Sequence, residues 1–134
     1  MSNNESMEMY LETVYILENN YGHAHGAEIG KRLGVSTPSV TKAMKHLKAK
    51  GLVNKEPYGT ITLTEKGRKI SEEIYTNHRL ISLFLEHSLE LDANEASKNA
   101  CKMEHVLSDK MLIAIRRYLK DNNVDVKDLN KLEA

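Results

Sequence analysis

The 134-residue chain holds a single cysteine, Cys101. One thiol cannot build an internal disulfide framework, and its sparing use fits a reducing cytoplasm, where this chain is expected to reside. Long hydrophobic runs are missing too. No stretch approaches the roughly 20 apolar residues that cross a bilayer, so no membrane partner is expected. The first ten residues, Met1 to Tyr10, are polar and acidic, unlike a secretory signal. There is no internal repeat, low-complexity tract or glycine-rich phosphate loop. Excess charge of either sign is absent as well. Nineteen basic and nineteen acidic residues leave a formal net charge of zero, which argues against a generic polycation. What remains is the composition of one medium globular domain or two small ones sharing a core.

The charge is unevenly placed. Between Lys31 and Lys55 stand Lys31, Arg32, Lys42, Lys45, Lys48, Lys50 and Lys55, with no acid among them. Between Met1 and Asn20 stand Glu5, Glu8, Glu12 and Glu18, with no base. A basic block in a neutral chain points one face at a polyanion, although a solvated helix face has the same appearance.

Apolar spacing gives the order of elements. Met7, Tyr10, Leu11, Val14 and Leu17 recur at helical intervals, so a first helix is expected over about 4–19, with Ser2 and Glu5 in capping-box spacing. A short helix over 26–33 ends at Gly34. Ser36 or Thr37 then caps a second, with Pro38 in its first turn and Val40, Met44 and Leu47 as its buried stripe. Two helices joined so tightly form a helix-turn-helix. Leu52–Lys55 and Thr60–Leu63 read as strands around the turn Glu56-Pro57-Tyr58-Gly59, which places a hairpin, or wing, after the motif. Thr64 caps a long helix to about His87, with Ile70, Ile74, Ile81 and Leu85 on one face. Asp92 with Glu95 opens a helix over about 93–107, where Ala96, Ala100, Met103 and Leu107 share a face. Ser108 opens a last helix to about Asp121, carrying Met111, Leu112, Ile115, Tyr118 and Leu119. The charged tail from Val124 forms a short helix or frays.

The outward residues of the second helix of the motif are Ser36, Thr37, Pro38, Ser39, Thr41, Lys42, Lys45 and Lys48. Small hydroxyls at its start suit base edges and phosphates, and the lysines suit phosphates. Lys55 and Tyr58 on the hairpin suit the DNA backbone or minor groove. Double-stranded operator DNA is therefore the expected partner, read by a homodimer as helix-turn-helix proteins do. No arginine lies on this helix to form the commonest contact with guanine.

Cys101, Glu104 and His105 fall at i, i+3 and i+4 of the predicted 93–107 helix. That spacing sets a thiolate, a carboxylate and an imidazole within one turn, away from the alanine face. All three are metal-ligand types, suited to a borderline divalent ion such as Fe(II), Co(II), Ni(II) or Zn(II). The bland alternative is a packed cysteine beside a solvated Glu-His edge.

Several segments resemble the diphtheria toxin repressor family of iron- and manganese-dependent regulators. They are Met9-Tyr10-Leu11, Gly34-Val35-Ser36-Thr37-Pro38-Ser39-Val40, Leu63-Thr64-Glu65-Lys66-Gly67, His78-Arg79-Leu80, and the run from Ala100 to Asp109. The resemblance runs in register from about Glu8 to Asp121, and Cys-x-x-Glu-His-x-x-Ser-Asp is its most specific part. It implies an activating site of iron-branch type at Met9, Cys101, Glu104 and His105. That branch has a second site in which His78 matches one ligand, but Ser82 and Ser97 stand where it carries a Glu and a His. The manganese branch instead implies Glu12 and His78, with carboxylates where this chain has Met9 and Cys101. The pattern is mixed. A second ion held by Glu12, His78 and the shared Glu104 is one expectation. Fe(II) is the expected ion, then Mn(II), with Co(II), Ni(II) and Zn(II) able to substitute in vitro.

The expected fold is mainly α: a winged helix-turn-helix domain over 1–71 and a helical dimerisation and metal-binding domain over 72–134. A two-domain form without the SH3-like third domain of longer relatives is expected. The expected function is a non-enzymatic, metal-dependent repressor of metal-homeostasis genes with no small-molecule substrate. Ligands on separate elements would couple metal and DNA affinities reciprocally. Dimerisation is expected through the Ala96/Ala100/Met103 face and the last helix. His23 and His25 in a loop, His46 on the DNA-reading helix and His87 ending the long helix are read as surface or capping residues. Three alternatives stay open. One is a winged-helix regulator sensing an organic ligand, with Cys101 merely packed. Another is a redox switch at Cys101. The last is a hydrolase using Cys101 and His105, which the helical placement of the pair and the lack of an oxyanion loop disfavour.

Overall fold

A computed structural model describes residues 5–56 and 59–130. Ser2 of the expected capping box, and Pro57 and Tyr58 of the hairpin turn, lie outside the described residues. The chain divides into two compact units, Met1–Glu72 and Glu73–Ala134.

The amino-terminal unit begins with α1 (Glu5–Tyr21), whose buried residues include Leu11, Val14 and Leu17. β1 (Ala24–His25) leads directly into α2 (Gly26–Leu33). Gly34 follows with φ +69, a left-handed conformation that a side chain would resist, and its backbone N–H reaches Gly30 O. Ser36 then caps α3 (Thr37–Ala49), its hydroxyl accepting from the N–H of Ser39. Val40, Ala43, Met44 and Leu47 form the buried face of α3, and each large apolar side chain so buried contributes about 1.5–3 kcal/mol.

β2 (Val53–Lys55) and β3 (Thr60–Leu63) pair antiparallel, with Val53 opposite Leu63. β1 adds to the other edge of β3 through Ala24–Ile61 and His25–Thr60, giving sheet order β1-β3-β2. The expected loop around His25 is thus partly strand. Its two residues take extended form because β3 offers an edge, not because of any alternating pattern.

α4 (Glu65–Leu89) starts at Thr64, whose hydroxyl accepts from the N–H of Gly67 and donates to Gly51 O. Glycine at 67 has a steric reason. A Cβ there would lie 2.0 Å from the carbonyl oxygen of Leu52, so no side chain fits without moving backbone.

The carboxy-terminal unit holds the rest of α4, α5 (Ala93–Met103) and α6 (Asp109–Asp121). Leu80, Ile81, Leu85, Ala96, Ala100, Ile115, Leu119 and Leu129 form its core. Ala96 and Ala100 are fully buried in that core. The alanine face expected to meet a second copy is therefore filled by this chain's own α4 and α6 residues. Instead Val106, Met111 and Ile113 are exposed apolar side chains of this unit. Among the described residues, the tail from Val124 forms no helix. Val124 and Val126 pack beside the core, and Leu129 enters it.

Candidate metal centre and DNA-reading helix

The carboxylate of Glu104 is the focus of the carboxy-terminal unit. Asp92 caps α5 by accepting from Glu95 N–H at 2.8 Å. The helix then stops earlier than its spacing suggests, at Met103. The Met103 carbonyl accepts from both Val106 N–H (3.0 Å) and Leu107 N–H (3.1 Å). That double acceptance closes the helix one turn short, and Ser108 opens α6 at once by accepting from Met111 N–H. Glu104 and His105 consequently stand in the turn between α5 and α6 rather than on a helix face. The backbone N–H of Glu104 still reaches Ala100 O, so Cys101 and Glu104 keep their helical offset.

Two imidazoles meet this carboxylate from different elements. Nδ1 of His78, on α4, lies 2.9 Å from Oε2 of Glu104. Nε2 of His105 lies 3.2 Å from Oε1. The side chains of Glu104 and His105 are both fully buried, and that of His78 is 17% exposed. A buried carboxylate without polar partners is costly by several kcal/mol, and the hydrogen-bonding contact with His78 offsets part of that cost here. Tyr75 stacks beside His78, ring centroids 6.2 Å apart and 19° from parallel. A carboxylate with an imidazole beside each oxygen offers donor types that suit Fe(II), Mn(II), Co(II) or Zn(II).

Of the expected ligands, the structure thus sets His78 and His105 each beside an oxygen of Glu104. Cys101 is exposed on the last turn of α5. Met9 and Glu12 sit one turn apart on α1, in the other unit, with Glu12 buried. Ser82 is buried, and the Ser97 hydroxyl lies 3.3 Å from Nε2 of His78. Ser97 attracted notice in the sequence only as a missing ligand, because no periodicity reports a contact between residues 19 apart.

Ser36, the cap of α3, and Thr37, Pro38, Ser39, Thr41, Lys42, Lys45 and Lys48 on the helix are all exposed, as is Lys55 on β2. The Thr41 hydroxyl donates back to Thr37 O at 3.1 Å, and those of Ser36 and Ser39 lie 2.9 Å apart. His46 is exposed on the same helix. His23 and His25 meet edge to face, and His87 Nδ1 lies 2.9 Å from the Tyr118 hydroxyl, so His87 serves as a surface staple. A residue unannounced in the sequence is Glu18. Its Oε2 accepts from Leu63 N–H at 2.8 Å and its Oε1 pairs with Arg68. Among the described residues, no helix is long and apolar enough to cross a membrane.

Residues 4–61 match the iron dependent repressor N-terminal DNA binding domain, and residues 64–131 match the iron dependent repressor metal binding and dimerisation domain. An uncharacterised HTH-type transcriptional regulator of Methanocaldococcus jannaschii is 39% identical over 117 residues, 87% of this chain and 94% of that protein. The diphtheria toxin repressor of Corynebacterium diphtheriae is 32% identical over 87% of this chain but only 52% of its own length. Among solved structures, the manganese regulator SloR matches with a TM-score of 0.74 at 31% identity, over 90% of this chain and 55% of SloR. The chain therefore spans about half the length of these last two relatives and nearly all of the Methanocaldococcus jannaschii one.

Proposed function

Because the chain belongs to the iron-dependent repressor family, we propose that it is a metal-dependent transcriptional repressor, binding operator DNA as a homodimer when loaded with Fe(II) or Mn(II) and controlling metal-homeostasis genes. The observation that carries this reading is the meeting of His78 and His105 on the two oxygens of Glu104. These residues would hold the ion, with Cys101 at the exposed edge of α5 and Met9 and Glu12 supplied by α1. When bound, the ion supplies a positive charge shared among donors of separate elements.

The chain's own residues perform the rest. Glu104, with imidazoles on both oxygens, draws the α5–α6 turn towards α4. Met9 and Glu12 lie on the helix that packs against α2, α3 and the sheet. Ligation there acts on the elements that carry the DNA-reading surface. Stabilising one arrangement of those elements raises DNA and metal affinity by the same factor. On that surface Lys42, Lys45, Lys48 and Lys55 neutralise phosphates, and the Ser36–Thr41 end of α3 and Tyr58 approach the DNA.

The test is fluorescence anisotropy with a labelled palindromic operator under anaerobic conditions at fixed salt. Binding is expected to be weak in chelator and tight with buffered Fe(II) or Mn(II). The ion acting at the lower free concentration identifies the branch, subject to availability in the cell. Binding indifferent to every ion would overturn the proposal.

A further inference from the structure

Both ring nitrogens of His78 already have partners inside one unit. Nδ1 faces Glu104 Oε2 at 2.9 Å, and Nε2 faces the Ser97 hydroxyl at 3.3 Å. Ser97 stands on α5 beside fully buried Ala96, so the core anchors its backbone. The ring of Tyr75 lies nearly parallel to the imidazole, its centroid 6.2 Å away.

A neutral imidazole carries one N–H and one lone pair, and a hydroxyl both donates and accepts. With Nδ1–H donating to Glu104, Ser97 donates to Nε2. With the Nδ1 lone pair turned to the Glu104 side, Ser97 accepts from Nε2–H. A carboxylate at position 97 could serve only the second arrangement and an ammonium only the first. A hydroxyl keeps the ring in place through the exchange.

We propose that Ser97 is a positioning residue of the metal centre, fixing His78 so that Nδ1, and only Nδ1, is presented beside Glu104. The role rests on the reading of His78, Glu104 and His105 as that centre. Ligating histidines are commonly oriented through their other ring nitrogen, and loss of such a partner costs about 10–100-fold in metal affinity.

Co(II) titration of the wild-type protein, S97A, S97V and S97T tests this, together with ¹⁵N spectra of the His78 ring in metal-free protein. Valine and threonine share a shape, so their difference reports the hydroxyl even where both cost stability. S97A and S97V are expected to bind Co(II) about 10-fold more weakly than wild type, and S97T to recover most of the loss. The metal-free His78 nitrogen signals are expected to shift in S97A and S97V but not in S97T. Equal Co(II) affinity for S97V and S97T, or ring signals that ignore the hydroxyl, would overturn the role of Ser97 alone. A wild-type protein that binds no Co(II), yet shows the hydroxyl-dependent ring signals, would overturn the metal-centre reading and leave only a structural hydrogen bond.

Discussion

Glu18 in one unit and Glu104 in the other are both largely shielded from solvent, and the two are used in opposite ways. Glu18, at the end of α1, turns one oxygen to the backbone N–H of Leu63 and the other to Arg68. It fastens a helix to the end of a strand and to the start of α4, where a buried N–H would otherwise lack a partner. Glu104 turns both oxygens to imidazoles, and its own backbone is already satisfied by Ala100 O. Burial alone does not separate them, since the side chains are 10% and 0% exposed. What separates them is the chemistry each oxygen faces: a backbone amide and a guanidinium hold a fold, whereas imidazoles are groups that also bind metal ions.

Substitutions that preserve shape sharpen this contrast. Glu104→Gln is expected to weaken Co(II) binding by more than about 100-fold, beyond the cost of losing an outer partner, while metal-free stability stays close to wild type. Calorimetric titration and urea unfolding would record both. Gly67→Ala has the next largest effect. It is expected to cost about 3 kcal/mol in urea unfolding, because the new methyl meets the Leu52 carbonyl. Glu18→Ala is expected to cost about 1–3 kcal/mol by stranding the Leu63 N–H, with Co(II) affinity unchanged. Glu18→Gln keeps an acceptor for that amide and loses only the pairing with the partly exposed Arg68. Its cost is expected to stay within about 1 kcal/mol, and a larger loss would make the ion pair, rather than the amide bond, the main tie. Lys45→Ala is expected to weaken operator binding at all sequences alike and lower the salt-dependence slope by about 1. His87→Ala, which frees an exposed Tyr118 hydroxyl, should change stability by at most about 1 kcal/mol and leave Co(II) binding untouched.

Where neighbours in sequence decide the structure, the sequence was legible. Gly34, Ser36 and the stripe Val40, Met44, Leu47 mark the helix-turn-helix, because caps and apolar periodicity act over a few residues. Thr64, Asp92 and Ser108 mark helix starts for the same reason. β1 was not legible, since two residues carry no period and become strand only beside β3. Glu18 was not, because its partner amide lies 45 residues away. The spacing of Cys101, Glu104 and His105 suggested one continuous helix, and the carbonyl of Met103 overrides it by accepting two amides. The small-residue face of Ala96 and Ala100 was legible as a site of close approach. Its partner was not, since a stripe of alanines suits a neighbour in the same chain as well as a second copy.

Leu129 bears on how the protein is made. Asp128 takes a left-handed φ of +57, and Leu129 then closes the core of the second unit, 5% exposed. On the ribosome, the first unit is complete once residue 72 has emerged. The second lacks a piece of its interior until residue 129 follows. At about 5–20 residues per second, that interval is roughly 3–11 s. For that time a finished winged helix leads a nascent segment whose apolar interior is still open, the period in which a chaperone has most to protect.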